Sequence, residues 1–302
     1  IKMENNQASE SSRIYALFYS FFLIPLMMVV FGILFYLLFN VLTDEPTDIN
    51  QLLGKLETGS MRDKANASYR INKLFADFPD KYDAKYSNRI IRIHKMSKSE
   101  FTIDNTLRLH TIMIMGNSKD TTYGQYLIEE LLSDDESFRV KAIESLGKIR
   151  YEPSSILIKD FLGKNNSRDE KLVAAGALGN IGNKSVIKDL VKVVSSWTES
   201  FNDTDGPELR WESTMALLKL GYSDENTQKI ILNLLNRDYL TGYNELDENQ
   251  INFLLLKILF ILYSIDDVNL LIPFKNEILK LSENDISLEI QNFSKKLYNR
   301  YE

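Results

Sequence analysis

Residues 139–149 read RVKAIESLGKI and residues 171–182 read KLVAAGALGNIG. Laid over one another, they place Leu146-Gly147-Lys148-Ile149 on Leu178-Gly179-Asn180-Ile181 at a spacing of 32. A fixed period of this length marks stacked helical units. WESTMALLKLG, residues 211–221, continues the series, with Leu217-Leu218-Lys219-Leu220 standing 39 residues further on. Ala142, Ala174 and Ser213 then fall at one shared small position. Upstream, LRLHTIMIMGN offers Gly116-Asn117 as a match to Gly182-Asn183 across 66 residues, and downstream FLLLKILFILYSIDD follows after about 41. A small residue lets neighbouring helices approach, Leu and Ile fill the space between helix pairs, and a Gly near the helix end admits a left-handed cap. No unit of this kind buries its apolar face alone, so the units stack into one continuous core.

Amphipathic spacing and polar breaks predict helix pairs at 61–77 with 83–99, 103–116 with 122–133, and 136–150 with 153–163. They continue at 168–181 with 184–198, 207–220 with 224–236, and 247–264 with 267–281, and a last helix near 285–301 closes the stack. The expected fold is all-α: a single N-terminal transmembrane helix followed by an α-solenoid of about six helix pairs. DDESFRVKAIESLGKIR with EPSSILIKDFL, and then DEKLVAAGALGNIGNKSVIKDLVKVV, resemble HEAT repeats of the bacterial, lyase-like type. The shared features are an acidic turn, a first helix ending Ala-Leu-Gly-x-Ile-Gly and a second helix with a leucine pattern. The resemblance is specific over about residues 134–198 and fainter on either side. It implies an α-solenoid used as a protein-binding surface, and it implies that Arg139 ties adjacent repeats, with Lys171 and Arg210 in its place in the next two copies.

Before the repeats, residues 14–42 read IYALFYSFFLIPLMMVVFGILFYLLFNVL without one charged side chain. About 20 apolar residues cross the hydrocarbon layer, so this stretch is expected to be a single-pass span, with Pro25 at any bend. It is longer than the apolar region of a signal peptide and lacks an Ala-x-Ala site, which favours an uncleaved signal anchor. The expected layout is a tail at 1–13, the span at 14–42, a linker at 43–60 and the solenoid at 61–302. Arg13 abuts the span while Thr43–Gly54 carries no Lys or Arg. By the positive-inside rule the large domain is then extracytoplasmic, periplasmic in a bacterial envelope, with a cytoplasmic placement as the alternative.

Of 36 basic and 42 acidic side chains, two of each precede residue 43, so the net charge of −6 belongs to the remainder. A mildly acidic solenoid does not suit phosphate neutralisation, which argues against nucleic acid as a partner. Zero cysteines exclude disulfides, thiolate metal sites and a cysteine nucleophile. His94 and His110 stand sixteen apart, which is not a helical ligand spacing. No phosphate-binding Gly-x-x-x-x-Gly-Lys and no Gly-x-Ser-x-Gly is present. Chromophore lyases with similar repeats offer no signature to test in one sequence, and a membrane-anchored, cysteine-free example is not expected. No catalytic residue and no cofactor is assigned, and the expectation is that the protein is not an enzyme.

The most site-like stretch is SFNDTDGPELRWE, residues 200–212, where Asp203, Asp205, Gly206 and Glu212 fit a calcium-loop template. Phe201 occupies the first ligand position, so the preferred reading is a surface turn with Pro207 opening a helix. Asp134-Asp135-Glu136 reads as helix N-terminal acids suited to the dipole. Arg89, Arg92, Lys95 and Lys98 around His94 read as a solvated basic stripe, and Phe253–Tyr263 as core, with a docking ridge as the alternative. The function expected is a membrane-anchored scaffold or accessory subunit of a larger membrane or envelope complex. Its partners would be an integral membrane protein and lipid; the alternative is a membrane-anchored ligand or calcium sensor.

Overall fold

The computed structural model describes residues 19–43, 48–99, 104–196, 206–242 and 246–301. Every regular element among them is helical. The chain divides into two compact units, Ile1–Leu52 and Leu53–Glu302.

In the first unit a π-helical turn, Tyr19–Leu23, leads into α1, Ile24–Thr43. Pro25 sits at the start of α1 rather than inside it. That is where a residue without an amide proton fits, and a wide turn ahead of it relieves the ring's clash with the preceding carbonyls. Within Phe21–Leu38 no side chain is buried, and α1 is the one helix among the described residues long and apolar enough to cross a membrane. At 20 residues and 1.5 Å rise it is about 30 Å long, the thickness of a hydrocarbon layer. The preceding part of the expected span, residues 14–18, lies outside the described residues.

Helix α2, Ile49–Thr58, stands where the sequence reading places a linker. Ile49, Leu52, Leu53 and Leu56 repeat at helical spacing and all four are buried. Pro46 and Gly54 hide that pattern when composition alone is weighed.

The second unit is a HEAT-like α-solenoid. Its first helices are α3 (Met61–Asp77), α5 (Asn105–Asn117), α7 (Glu136–Lys148), α9 (Arg168–Ile181), α11 (Gly206–Lys219) and α14 (Glu248–Ser264). Each packs on the next in that order. The second helices are α4 (Ser87–Ser97), α6 (Gly124–Glu130), α8 (Ser155–Ile158), α10 (Ile187–Ser196), α12 (Glu225–Leu235) and α15 (Lys275–Asn284). Each lies against the first helix of the following pair, α15 against the closing helix α16, Leu288–Tyr298. A short helix, α13 (Arg237–Thr241), which the sequence reading does not predict, precedes α14.

Local chemistry sets these boundaries. Ser60 with Asp63, Ser167 with Glu170, Asp224 with Thr227 and Asp247 with Gln250 form reciprocal capping boxes. Between helices of a pair, Asp83, Asp120, Asn183 and Asp267 each accept from the amide two residues on, turning the chain through a 3-10 segment.

Stacking of the first helices rests on missing side-chain volume. A Cβ on Gly116 would lie 2.8 Å from Ser145 Cα, one on Gly147 would lie 2.8 Å from Ala177 Cα, and one on Gly179 would lie 2.7 Å from Ala216 Cα. These three glycines are therefore equivalent, at spacings of 31 and 32. Gly116 corresponds to Gly179 and not, as the sequence superposition has it, to Gly182. The left-handed caps are a separate position, Gly182 at φ 87° and Gly221 at φ 75°, with Lys119 (φ 58°) and Arg150 (φ 53°) in the two earlier repeats.

Candidate functional site

Four first helices, α7, α9, α11 and α14, enclose a groove of about 720 Å³ on their shared face. Its apolar lining comes from Leu172 and Val173 of α9, Trp211 and Met215 of α11, and Phe253 and Leu254 of α14. Trp211 is held almost fully buried, whereas Phe253 is 70% exposed. Where Gly176 leaves room on α9, the Glu212 carboxylate sits over the backbone: a Cβ there would meet Glu212 Oε1 at 2.8 Å. A volume of this size lies within the range of ligand pockets, roughly 300–1,000 Å³, and apolar walls with a few fixed polar groups are the usual makeup of one.

The groove's charges are mostly paired with one another. Lys257 donates to Glu212, and Glu144 takes both Lys141 and Lys148 at 2.8 Å. Burial pushes the Glu144 carboxyl up, but these two lysines outweigh it and hold it below the ordinary range. A ladder runs along one end of the groove. Asn117, Lys148, Asn180 and Lys219 occupy one position in successive repeats, and each lysine donates to the asparagine before it, Lys148 to Asn117 at 3.1 Å and Lys219 to Asn180 at 2.8 Å. Burial draws the Lys219 ammonium's pKa down; Glu212 opposes this, and Lys257 and Arg150 reinforce it.

The sequence-selected residues are distributed differently. Asp203 and Asp205 lie outside the described residues. Glu212 is on α11 in the groove, committed to Lys257. No group of three His, Cys, Asp or Glu side chains converges among the described residues. Asp135 caps α7 through the Ser137 amide, and Glu136 accepts from Ser167 Oγ. Arg139 joins repeats by donating to Glu170 Oε1 at 2.5 Å, and also to the carbonyls of Ser133 and Asp134. The Phe253–Tyr263 stretch is split: Leu255, Ile258, Leu259 and Leu262 are buried, while Phe253 and Phe260 face out from one stripe of α14.

The basic stripe around His94 is not a free solvated face. Arg89 and Arg92 both pair with Glu57, whose carboxyl is held at about 2, the Arg89 hydrogen bond being the largest cause. His94 is buried, with Nδ1 2.9 Å from Thr111 Oγ1 and Nε2 3.0 Å from Glu130 Oε1. Arg108 and Lys98 also converge on Glu130, at 2.6 and 2.9 Å. Burial pushes the Glu130 carboxyl up, but hydrogen bonds from His94, Arg108 and Lys98 prevail and set it at about 2. Thr111, His94 and Glu130 thus stand in a row like a hydroxyl–imidazole–carboxylate relay. Thr111 and Glu130 are nevertheless completely buried, and Thr111 Oγ1 donates to the Arg108 carbonyl, so the row joins repeats and does not face a substrate.

Sequence reading missed Trp211, Met215 and Lys257 as groove residues. The alternation of Asn and Lys at 117, 148, 180 and 219 is a signal that reaches the groove at Lys148 and Asn180; the leucines that set the period, Leu146, Leu178 and Leu217, are buried in the core instead.

No protein-family model and no curated protein matches this chain. The class that the fold defines is the HEAT-like α-solenoid. Among solved structures, the chain is similar to the complex of CpcE and CpcF of phycocyanin lyase from Nostoc sp. PCC7120. The identity is 14%, the match covers 84% of this chain and 96% of that chain, and the TM-score is 0.51. This similarity shows the fold. It also corrects the expectation that the protein is not an enzyme, because a solved protein of the same fold is a lyase. Repeats of this kind are compatible with catalysis, and missing sequence motifs are no ground for leaving it out.

Proposed function

We propose that the chain is a membrane-anchored scaffold or accessory subunit of a larger membrane or envelope complex, with the groove over α7, α9, α11 and α14 holding part of a partner protein. The observation that carries this reading is the groove itself: a long apolar trough, with its charges mostly paired, on stacked helices. The unburied apolar helix α1 supports the anchor, since all its faces need a nonaqueous surrounding. With the large domain extracytoplasmic, α1 would pack beside a partner's helices while the groove holds a second region. Two weak contacts then act as one strong contact through effective concentration.

The test is photocrosslinking in native membranes. A crosslinker at Val173, in the groove, is expected to capture one discrete protein band that a crosslinker at the exposed Ile156 of α8 does not. A lone monomer in mild detergent, with no band from either position, would sink the subunit reading. A second reading, enzymatic, is favoured by the lyase of the same fold. It expects the captured protein to gain or lose mass when incubated with this chain, a change seen by intact-mass spectrometry.

A further inference from the structure

We propose that the groove takes an amphipathic segment of the partner whose polar side is basic. Its Lys or Arg side chains would meet Glu208 and Asp247, and its apolar side chains would lie on Val173, Met215 and Phe253. This rests on the protein-recognition reading above and specifies the partner's chemistry.

Charge is the first argument. The groove is lined by four carboxylates, Glu144, Glu208, Glu212 and Asp247, against two ammonium groups, Lys148 and Lys257. Lys148 answers Glu144 and Lys257 answers Glu212, so the excess resides in Glu208 and Asp247, at the N-terminal ends of the neighbouring helices α11 and α14. Asp247 accepts from the Gln250 amide at 2.8 Å, and no ion pair reaches it among the described residues. Glu208 Oε1 lies 2.9 Å from Arg168, but that pair is open to water, with 34% of the Glu208 side chain and 44% of the Arg168 side chain exposed, and such pairs contribute little. Glu208 Oε2 is shielded from water and accepts no hydrogen bond, a state that a turn of the carboxylate toward an incoming donor relieves. A cation is the group that balances this end of the groove, and charge-assisted hydrogen bonds are the strong ones. The net charge of −6 attracts a basic partner at longer range.

Apolar surface is the second argument. Phe253 lines the groove, and Phe260, also exposed, follows it two turns along the same stripe of α14, about 10 Å away at 1.5 Å per residue. Phe260 stacks on Phe293 of α16 with ring centroids 6.1 Å apart, so the apolar surface continues past the groove onto the closing helix. A strip of that length suits a chain segment better than a small molecule. The i, i+7 spacing of the two phenylalanines also matches the anchor spacing of an amphipathic helix laid in a groove.

The test uses the full chain in nanodiscs of zwitterionic lipid and three fluorescent peptides, with binding read by anisotropy against empty nanodiscs. The peptides carry Leu and Phe at i, i+3, i+4 and i+7 spacing and Lys, Gln or Glu at the polar positions. The Lys peptide is expected to bind about ten-fold tighter than the Gln peptide, as one charge-assisted contact gives, with the Glu peptide weakest. Glu208→Gln combined with Asp247→Asn is expected to remove most of that preference. Asn caps a helix about as well as Asp, so the double variant keeps its Tm and the loss is not a folding failure. Phe253→Ala, at an exposed position, is expected to weaken all three peptides. Glu225→Gln removes a first-turn carboxylate of α12 outside the groove's lining and is expected to leave the preference unaltered. Equal affinity for the three peptides, no binding by any, or a Lys preference that survives the double variant overturns the proposal. The same loss in Glu225→Gln, or indifference to Phe253→Ala, does so too. So does displacement of the Lys peptide by choline at lower concentration than by unlabelled Lys peptide, which would make a small organic cation the ligand. A Val173 crosslink to a protein together with any of these results leaves the scaffold reading standing and only its partner chemistry wrong.

Discussion

At the scale of single residues, two kinds of unfavourable feature are held by their surroundings. Lys119 and Arg150 adopt left-handed backbone, which costs an L-residue about 1–2 kcal/mol. Glycine there loses about 0.5–1 kcal/mol in extra unfolded-state freedom, so Lys119→Gly is expected to stabilise the fold by roughly 0.5–1 kcal/mol, read from urea melts. A loss of stability would show that the lysine side chain matters more than its backbone. Glu130 is the opposite case, a buried carboxylate that three cationic or imidazole groups surround. Removing its charge leaves them facing one another, and Glu130→Gln is expected to cost about 3–5 kcal/mol. Because the folded pKa of about 2 lies below the ordinary value of 4.5, this contribution is fully present above the ordinary range. It is lost as pH falls from about 4.5 toward 2. Wild-type and Glu130→Gln melts should therefore converge across that window; a gap that persists at pH 2 would count against the ion-pair account.

Elements are joined through absent atoms as much as present ones. Alanine ordinarily improves a helix relative to glycine by about 1 kcal/mol. At Gly179 the new methyl would meet the Ala216 backbone at 2.7 Å, where overpacking costs about 1–3 kcal/mol. Gly179→Ala is expected to destabilise. Gly54→Ala, where the nearest atom is Arg89 Nη2 at 3.4 Å, is expected to stabilise by about 1 kcal/mol. Thermal melts of the pair decide whether close helix approach, and not helix propensity, governs these positions; two changes of the same sign would refute it. The period of the repeats was legible in the sequence because leucines and alanines recur along a core face. The register of the glycines was not, since a glycine that caps a helix and one that lets two helices touch look alike until the helices are stacked.

For the whole molecule, the proposed anchor and the solenoid make separate expectations. The full chain should stay with the membrane fraction after carbonate extraction, and a chain starting at Asp48, which keeps α2 whole, should be recovered in the aqueous fraction with an undiminished helical circular dichroism signal per residue. Release of the full chain by carbonate would remove the anchor reading. By itself the sequence determined that the fold is all-helical, with about six pairs and a closing helix after an uncharged stretch, because periodicity and composition act within a few residues of one another; among the described residues, α2 and α13 were not legible in it. Only tertiary structure decided that His94 and Glu130 are buried together, that Glu212 belongs to Lys257, and that Lys219 stands beside a groove. Those facts arise between residues 36, 45 and 39 positions apart. Side-chain pairing at such separations is fixed by which helices stack, and a linear pattern does not carry it.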